Sequence, residues 1–170
     1  MYGTYETYDG KPAVRFERLY PHPVERVWRS ITVPEEMASW FPSTVEVDLR
    51  EGGEMAFTFP GHDVDPMTGR VLELDPPRLF AFLWGDELLR FELEGEDGGC
   101  RLRLTHLITN EDEAARNAAG WQVCLGSLER LLSTGSAEAP GTGATGEWRE
   151  IYDAYVEAGM PSGAAVPGGG

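Results

Sequence analysis

Hydrophobic and polar residues alternate along several stretches of the chain, which predicts β-strands with one buried face. The sequence also gives a hairpin signal at Asp9-Gly10, and Gly or Pro pairs separate most of the later stretches. This regular arrangement predicts a meander of antiparallel strands. Three strands each place three residues on the face predicted to be buried: Met55, Phe57 and Phe59; Phe80, Phe82 and Trp84; and Leu102, Leu104 and His106.

Within residues 1–132, helical periodicity appears in three places. Pro23 and Pro34 each open a short amphipathic stretch, and Pro42 closes the second directly after Trp40-Phe41. A long helix is predicted over residues 111–132, with Asn110 as its N-cap and a glutamate at the capping-box position. Its apolar stripe consists of Trp121, Cys124, Leu125, Leu128, Leu131 and Leu132. A sheet with one apolar face and one long helix predicts an α+β fold, with the helix lying across that face.

The chain divides into one main domain and a C-terminal extension. Residues 1–132 form the domain, in which residues 1–12 add an N-terminal strand and turn. Residues 133–146 are rich in Gly, Ser, Thr and Ala and predict a flexible linker. Residues 147–158 recover an apolar stripe and predict an ordered helix, docked on its own domain or on a second copy. We expect residues 159–170 to be disordered.

Six segments in order resemble the AHSA1-like group (activator of Hsp90 ATPase homologue 1-like) of the SRPBCC superfamily, which includes START and Bet v 1-like proteins. They are HPVERVWRSIT, WFP, VDLREGGEMAF, GRVLELDPPRLFAFLW, GGCRLRLTH and GWQVCLGSLERLL, within residues 13–132. The resemblance implies the helix-grip fold, in which a curved antiparallel sheet wraps around a long C-terminal helix and two short helices follow the first long strand. It also implies a cavity for hydrophobic or amphipathic small molecules.

That resemblance, with the aromatic pattern, predicts a ligand pocket between sheet and long helix. We expect Trp40 and Phe41 to border its entrance and His106 to point into it. His106 is either a polar contact for a ligand or a general acid/base, or else it is a core histidine satisfied by a backbone carbonyl; the sequence leaves these open. The candidate ligand-binding residues are Trp40, Phe41, Phe57, Phe59, Phe82, Trp84, His106, Trp121 and Leu125.

The favoured function is a non-enzymatic carrier or sensor of a small hydrophobic molecule. The alternative, from relatives in the superfamily, is a polyketide aromatase or cyclase that positions a reactive chain and exchanges protons. Regulation of an Hsp90-type chaperone is third, and we do not expect an Hsp90 interaction because the separate N-terminal domain of the eukaryotic activator is missing. No acid or nucleophile pairs with His106 at motif spacing, so no catalytic residue is assigned.

The charge composition argues against some classes of binding partner. Fourteen basic and 29 acidic residues give a formal net charge of −15, which opposes nucleic acid and anionic membrane surfaces. The N-terminus has no signal-peptide pattern, so we expect a cytoplasmic protein. The sequence is compatible with a monomer or a homodimer.

Nucleotide-binding glycine motifs are absent, and the loop with His62, Asp63 and Asp65 does not make a closed metal site, so we expect neither cofactor nor metal. Cys100 and Cys124 are expected to be free packed thiols, although a disulfide between them stays open.

Overall fold

The structure, a computed structural model, describes residues 2–140 and 144–166. One eight-stranded sheet accounts for most of the domain, and every pair of neighbouring strands is antiparallel. The spatial order is β1-β2-β8-β7-β6-β5-β4-β3, so β1 and β3 are the edges. The strands are β1 Thr4–Tyr8, β2 Lys11–Tyr20, β3 Thr44–Val47, β4 Glu54–Thr58, β5 Met67–Asp75, β6 Leu79–Trp84, β7 Glu87–Glu96 and β8 Gly99–Leu107.

Four α-helices complete the architecture: α1 Val24–Thr32, α2 Pro34–Met37, α3 Ala114–Thr134 and α4 Gly146–Glu157. The α1 and α2 helices follow β2, the first long strand, and α3 follows the last strand, as the helix-grip prediction requires. The sheet is curved and its apolar face packs against α3, which buries the core between them. The predicted α+β helix-grip fold is therefore confirmed.

The side-chain alternation of β8 was predicted in the correct register. His106 is fully buried, whereas Arg101 and Arg103 lie on the outer face of the sheet. There Arg101 pairs with Glu17 and Glu96, and Arg103 lies 3.5 Å from a carboxylate oxygen of Glu94. A shift of one residue would exchange the two faces, so this agreement fixes which residues can contribute to an interior site.

The start of the long helix differs from the prediction. Residues Glu111–Glu113 form a 3-10 turn, and α3 begins at Ala114. Neither Asn110 nor Glu113 makes a side-chain capping bond, so the predicted capping box is wrong. The backbone amide of Ala115 instead donates to the carbonyl of Pro161, 3.0 Å away, which supplies an acceptor to the first turn.

The C-terminal extension folds back on its own domain. The α4 helix packs on α3 and buries Trp148 and Tyr155, and the helix predicted at 147–158 spans Gly146–Glu157. We expected disorder from residue 159, but residues 159–166 are described, and the amide of Ala164 donates to the carbonyl of Asp112 (3.2 Å). The rest of that predicted tail, residues 167–170, lies outside the described residues, as does part of the predicted linker, residues 141–143.

Candidate functional site

Five aromatic side chains meet in the interior between α3 and the sheet, and we call them the aromatic cluster: Phe41, Phe57, Phe82, Trp84 and Trp121. The ring centroid of Phe41 lies between 5.7 and 6.3 Å from those of the other four. Three parts of the fold contribute to the cluster. Phe41 follows α2, Trp121 belongs to α3, and the other three aromatic residues lie on the sheet strands β4 and β6. The site therefore depends on the whole fold and not on one segment.

The cluster lies where the sequence predicted a cavity. Phe57, Phe82 and His106 have no surface accessible to water, so no water-sized void adjoins their side chains in the described structure. Leu125 is buried in the same apolar core, whereas Phe59 is buried but lies outside it. Two surface grooves of about 570 Å³ each lie elsewhere, one between β1 and α4 and one across β3, β4 and β5.

Trp40 and Phe41 do not border an entrance, so that prediction is wrong. Their exposed fractions are 0% and 1%. The indole Nε1–H of Trp40 donates to the carbonyl oxygen of Ser30 (2.8 Å), which fixes the ring against α1. Phe41 packs edge-on against Trp40, with ring centroids 5.5 Å apart. Both side chains are core residues that hold the short helices against the sheet.

A chain of three hydrogen-bonded side chains crosses the core beside the cluster. Trp121 Nε1 donates to His106 Nδ1 at 2.9 Å, and His106 Nε2 lies 3.0 Å from Glu87 Oε1. An indole nitrogen can only donate, so Nδ1 carries no proton here and Nε2–H donates to the carboxylate. The histidine is therefore satisfied on both ring nitrogens, by side chains and not by a backbone carbonyl.

Glu87 is the functional candidate that sequence reasoning missed. It opens β7 in phase with Leu89 and Phe91, which are both fully buried, so the alternation placed it on the inner face. Its second oxygen accepts from the backbone N–H of Thr109 (2.8 Å) and from the Thr109 hydroxyl (3.3 Å). Burial raises the pKa of Glu87, but the hydrogen bond from His106 and those from Thr109 outweigh this effect and lower the pKa below its usual value of 4.5.

Two buried side-chain nitrogens close to Trp121 and His106 have no hydrogen-bond partner among the described residues. The indole Nε1 of Trp84 is inaccessible to water and makes no hydrogen bond to any described residue. Its ring centroid lies 6.0 Å from that of His106 and 5.8 Å from that of Trp121. The Nδ2 atom of Asn117 is unpaired in the same way, one helical turn before Trp121 on α3. Unpaired buried donors are rare in native proteins, where such groups bond to a protein atom or to ordered water.

Other chemistry is sparse in the part of the chain that the structure describes. Cys100 and Cys124 are free and buried, and burial raises their thiol pKa values to about 11 and about 12. Within residues 2–140 and 144–166, no group of three or more His, Cys, Asp or Glu side chains could hold a metal ion. No helix among these residues is long and apolar enough to cross a membrane.

Comparison with known proteins assigns the family. A sequence model described as "Activator of Hsp90 ATPase homolog 1-like protein" matches residues 21–133, well over half of the chain. The chain belongs to this AHSA1-like family. The match contains the aromatic cluster, Glu87 and His106, and it ends before α4 begins. A search of curated proteins gives no match.

Solved structures confirm the fold of this AHSA1-like protein. The crystal structure of CalU16 from Micromonospora echinospora has a TM-score of 0.68 at 23% identity, covering 91% of this chain and 94% of CalU16. EF2215 from Enterococcus faecalis, a conserved protein of unknown function, has a TM-score of 0.72 at 20% identity, with 92% and 89% covered. DynU16, a protein in the dynemicin biosynthetic locus, has a TM-score of 0.64 at 26% identity, covering 73% of this chain and 48% of DynU16.

Proposed function

We propose that the protein binds a small apolar molecule that carries an acceptor oxygen, between α3 and the sheet at Trp84. The observation that carries this proposal is the unpaired, buried Nε1–H of Trp84. Around it, the indole of Trp121, both ring nitrogens of His106 and both oxygens of Glu87 are paired. A buried donor without an acceptor costs about 1–3 kcal/mol, and a ligand oxygen would remove that cost.

The surroundings of Trp84 favour a planar or extended apolar ligand. The rings of Phe41, Trp121 and His106 lie within 6.0 Å of the Trp84 ring, centroid to centroid, so a bound ring would have aromatic faces to stack on. A carbonyl or ether oxygen supplies the acceptor without adding a donor that would need its own partner. The net charge of −15 opposes the approach of an anion, so the acceptor is better neutral than carboxylate.

Binding has to rearrange side chains, because no water-sized void adjoins Phe57, Phe82 or His106 in the part of the chain that the structure describes. Trp84 and Asn117 are only partly buried as whole residues, although their unpaired nitrogens are inaccessible. A ligand entering beside them would displace the Trp84 and Trp121 rings and leave the deeper Phe57 and Phe82 in place. This is ligand binding with a conformational change, for which the closed form is the resting state.

Two matched naphthalenes test the proposal by titration calorimetry. 2-Acetylnaphthalene carries a carbonyl acceptor and 2-ethylnaphthalene does not, while their size and shape are similar. We expect about 2- to 10-fold tighter binding of the ketone, which corresponds to one hydrogen bond. Trp84→Phe should abolish this preference. The control Trp28→Phe should keep it, because Trp28 packs against Phe80 outside the cluster. Equal affinity of the two compounds for the unsubstituted protein would contradict the proposal.

A ring-closing enzyme is the second proposal, and one observation favours it. The carboxylate of Glu87 orients His106, as an acid orients a general base in many enzymes. Against it, Nδ1 of His106 already accepts from Trp121, so proton transfer requires the Trp121 bond to break first. A His106→Ala variant that binds ligand normally but loses turnover of a polyketide substrate would favour the enzyme. Regulation of an Hsp90-type chaperone gains support only if the purified protein raises the ATPase rate of a cognate Hsp90.

A further inference from the structure

The residues that follow α4 make hydrogen bonds to the first turn of α3 and to the 3-10 turn before it. The Ala115 amide donates to the Pro161 carbonyl (3.0 Å), the Ala164 amide donates to the Asp112 carbonyl (3.2 Å), and Arg116 Nη1 donates to the Ala165 carbonyl (3.2 Å). Amides in the first turn of a helix have no partner inside the helix and need one from outside. No side chain among the described residues caps the N-terminus of α3, and the Pro161 carbonyl supplies an acceptor for one amide of its first turn.

The α4 helix ties the same half of α3 to the sheet edge. The buried hydroxyl of Tyr155 accepts from the backbone amide of Gly3 (2.7 Å), next to β1, and it donates to the side-chain oxygen of Gln122 on α3. Trp148 lies about two turns before Tyr155 on the same face of α4. It is buried and stacks on Tyr152, with ring centroids 5.0 Å apart and planes at 9°. Burial raises the pKa of Tyr155 to about 12, so the hydroxyl stays neutral and can donate.

Three of these contacts, made by Pro161, Ala165 and Tyr155, involve the part of α3 that carries the candidate site. Residues 115–122 include Asn117, with its unpaired nitrogen, and Trp121, which bonds to His106. Residues 146–166 lie outside the family match, which ends at residue 133. The segment that holds the helix therefore lies outside residues 21–133, which the family model matches and which form the candidate site.

We infer that residues 146–166 form a latch that controls when the N-terminal half of α3 moves off the sheet, and therefore when a ligand reaches Trp84. The ligand step rests on the proposed function. No water-sized void adjoins Phe57 or Phe82 within the described structure, and the Trp121 ring that a ligand would displace belongs to α3. Entry therefore shifts this part of α3 and strains its hydrogen bonds to Pro161 and Tyr155. Breaking the latch should raise the population of the open form, and fixing it should lower that population.

Removing one hydroxyl from the full chain tests the release of the latch. Tyr155→Phe loses the bonds to Gly3 and Gln122, so we expect amide hydrogen exchange over residues 115–122 to become about 5- to 30-fold faster, as expected for a loss of 1–2 kcal/mol. The matched control is Tyr152→Phe, since the Tyr152 hydroxyl makes no hydrogen bond among the described residues. Exchange that is no faster in Tyr155→Phe than in this control overturns the latch.

A reversible crosslink tests the opposite direction. A Cβ atom built on Gly163 lies 3.9 Å from the Cβ of Asp112, within the range that a disulfide spans. Gly163 has a φ of 126°, which strains any other residue, so the D112C/G163C variant is compared only with its own reduced form. We expect oxidation to slow both exchange over residues 115–122 and the association of 2-acetylnaphthalene in stopped-flow fluorescence, and reduction to restore both. The native thiols are buried and should stay unmodified.

The two readouts separate this inference from the proposed function. Faster exchange in Tyr155→Phe together with faster ketone association supports the latch. Faster exchange with unchanged association overturns it, because the ligand then enters without moving α3. If the ketone binds to none of the variants, the proposed function fails, and the exchange rates alone decide whether residues 146–166 hold α3.

Discussion

Replacing Glu87 by glutamine should destabilise the protein despite the small change in shape. The carboxylate accepts from His106 Nε2 through one oxygen and from the backbone N–H and hydroxyl of Thr109 through the other. Glutamine replaces one of these oxygens by an NH₂ group, which can only donate. Whichever way the amide turns, one donor of His106 or Thr109 then faces another donor.

The expected loss follows from that geometry. One buried donor left without an acceptor costs about 1–3 kcal/mol in the free energy of unfolding. For a chain of this size, each kcal/mol lowers Tm by about 2–4 °C. The control Glu46→Gln changes an exposed carboxylate on β3 and should stay within about 0.5 kcal/mol of the unsubstituted protein. Urea unfolding followed by tryptophan fluorescence at neutral pH measures both.

The pH dependence gives a second test of the same bonds. The pKa of Glu87 is lowered in the folded protein, so its stabilising effect is complete above its usual value of 4.5 and is lost as the pH falls through the folded pKa. Glutamine does not titrate there, so the difference between Glu87→Gln and the unsubstituted protein should shrink in that acidic range. A variant as stable as the unsubstituted protein at neutral pH, or a difference independent of pH, would refute the reasoning.

Three further experiments test other parts of the structure. Gly10→Ala should lower the free energy of unfolding by about 1 kcal/mol, because Gly10 has a φ of 78° in the first hairpin. The control Gly146→Ala, at the start of α4, should not destabilise the protein. Similar losses for both variants in thermal unfolding would contradict this. Trp40→Phe should cost about 1–3 kcal/mol in urea unfolding because a buried carbonyl on α1 loses its donor, and a loss below 0.5 kcal/mol would argue against that bond. With their raised thiol pKa values, Cys100 and Cys124 should resist a thiol reagent at pH 8 and react in denaturant; fast native labelling would show that they are exposed.

Side-chain alternation predicted the sheet because a strand has a period of two residues and one buried face. The prediction that Leu102, Leu104 and His106 share the buried face followed from this period alone, and it is confirmed. The same rule also placed Glu87 on the inner face. It was overlooked because acidic residues are expected at the surface, and its partners His106 and Thr109 lie on a different part of the chain.

Other features could not be predicted from local pattern. Trp40 and Phe41 follow a helix of four residues, so periodicity does not decide whether they face solvent or core, and tertiary packing buries them. The wrong capping prediction for Asn110 has a similar cause. The acceptor of Ala115 is a backbone carbonyl at residue 161, and a backbone group leaves no mark in the amino-acid sequence.

The indole N–H resonance of Trp84 provides the most direct test of the ligand-binding proposal. In ¹⁵N-labelled protein the five tryptophans give five indole signals, and Trp84→Phe identifies one of them. Addition of 2-acetylnaphthalene should move the Trp84 proton signal downfield, as a new hydrogen bond to the carbonyl forms, whereas 2-ethylnaphthalene should not cause this downfield shift. No movement of the Trp84 signal at saturating ketone, or the same movement with both compounds, would contradict the account.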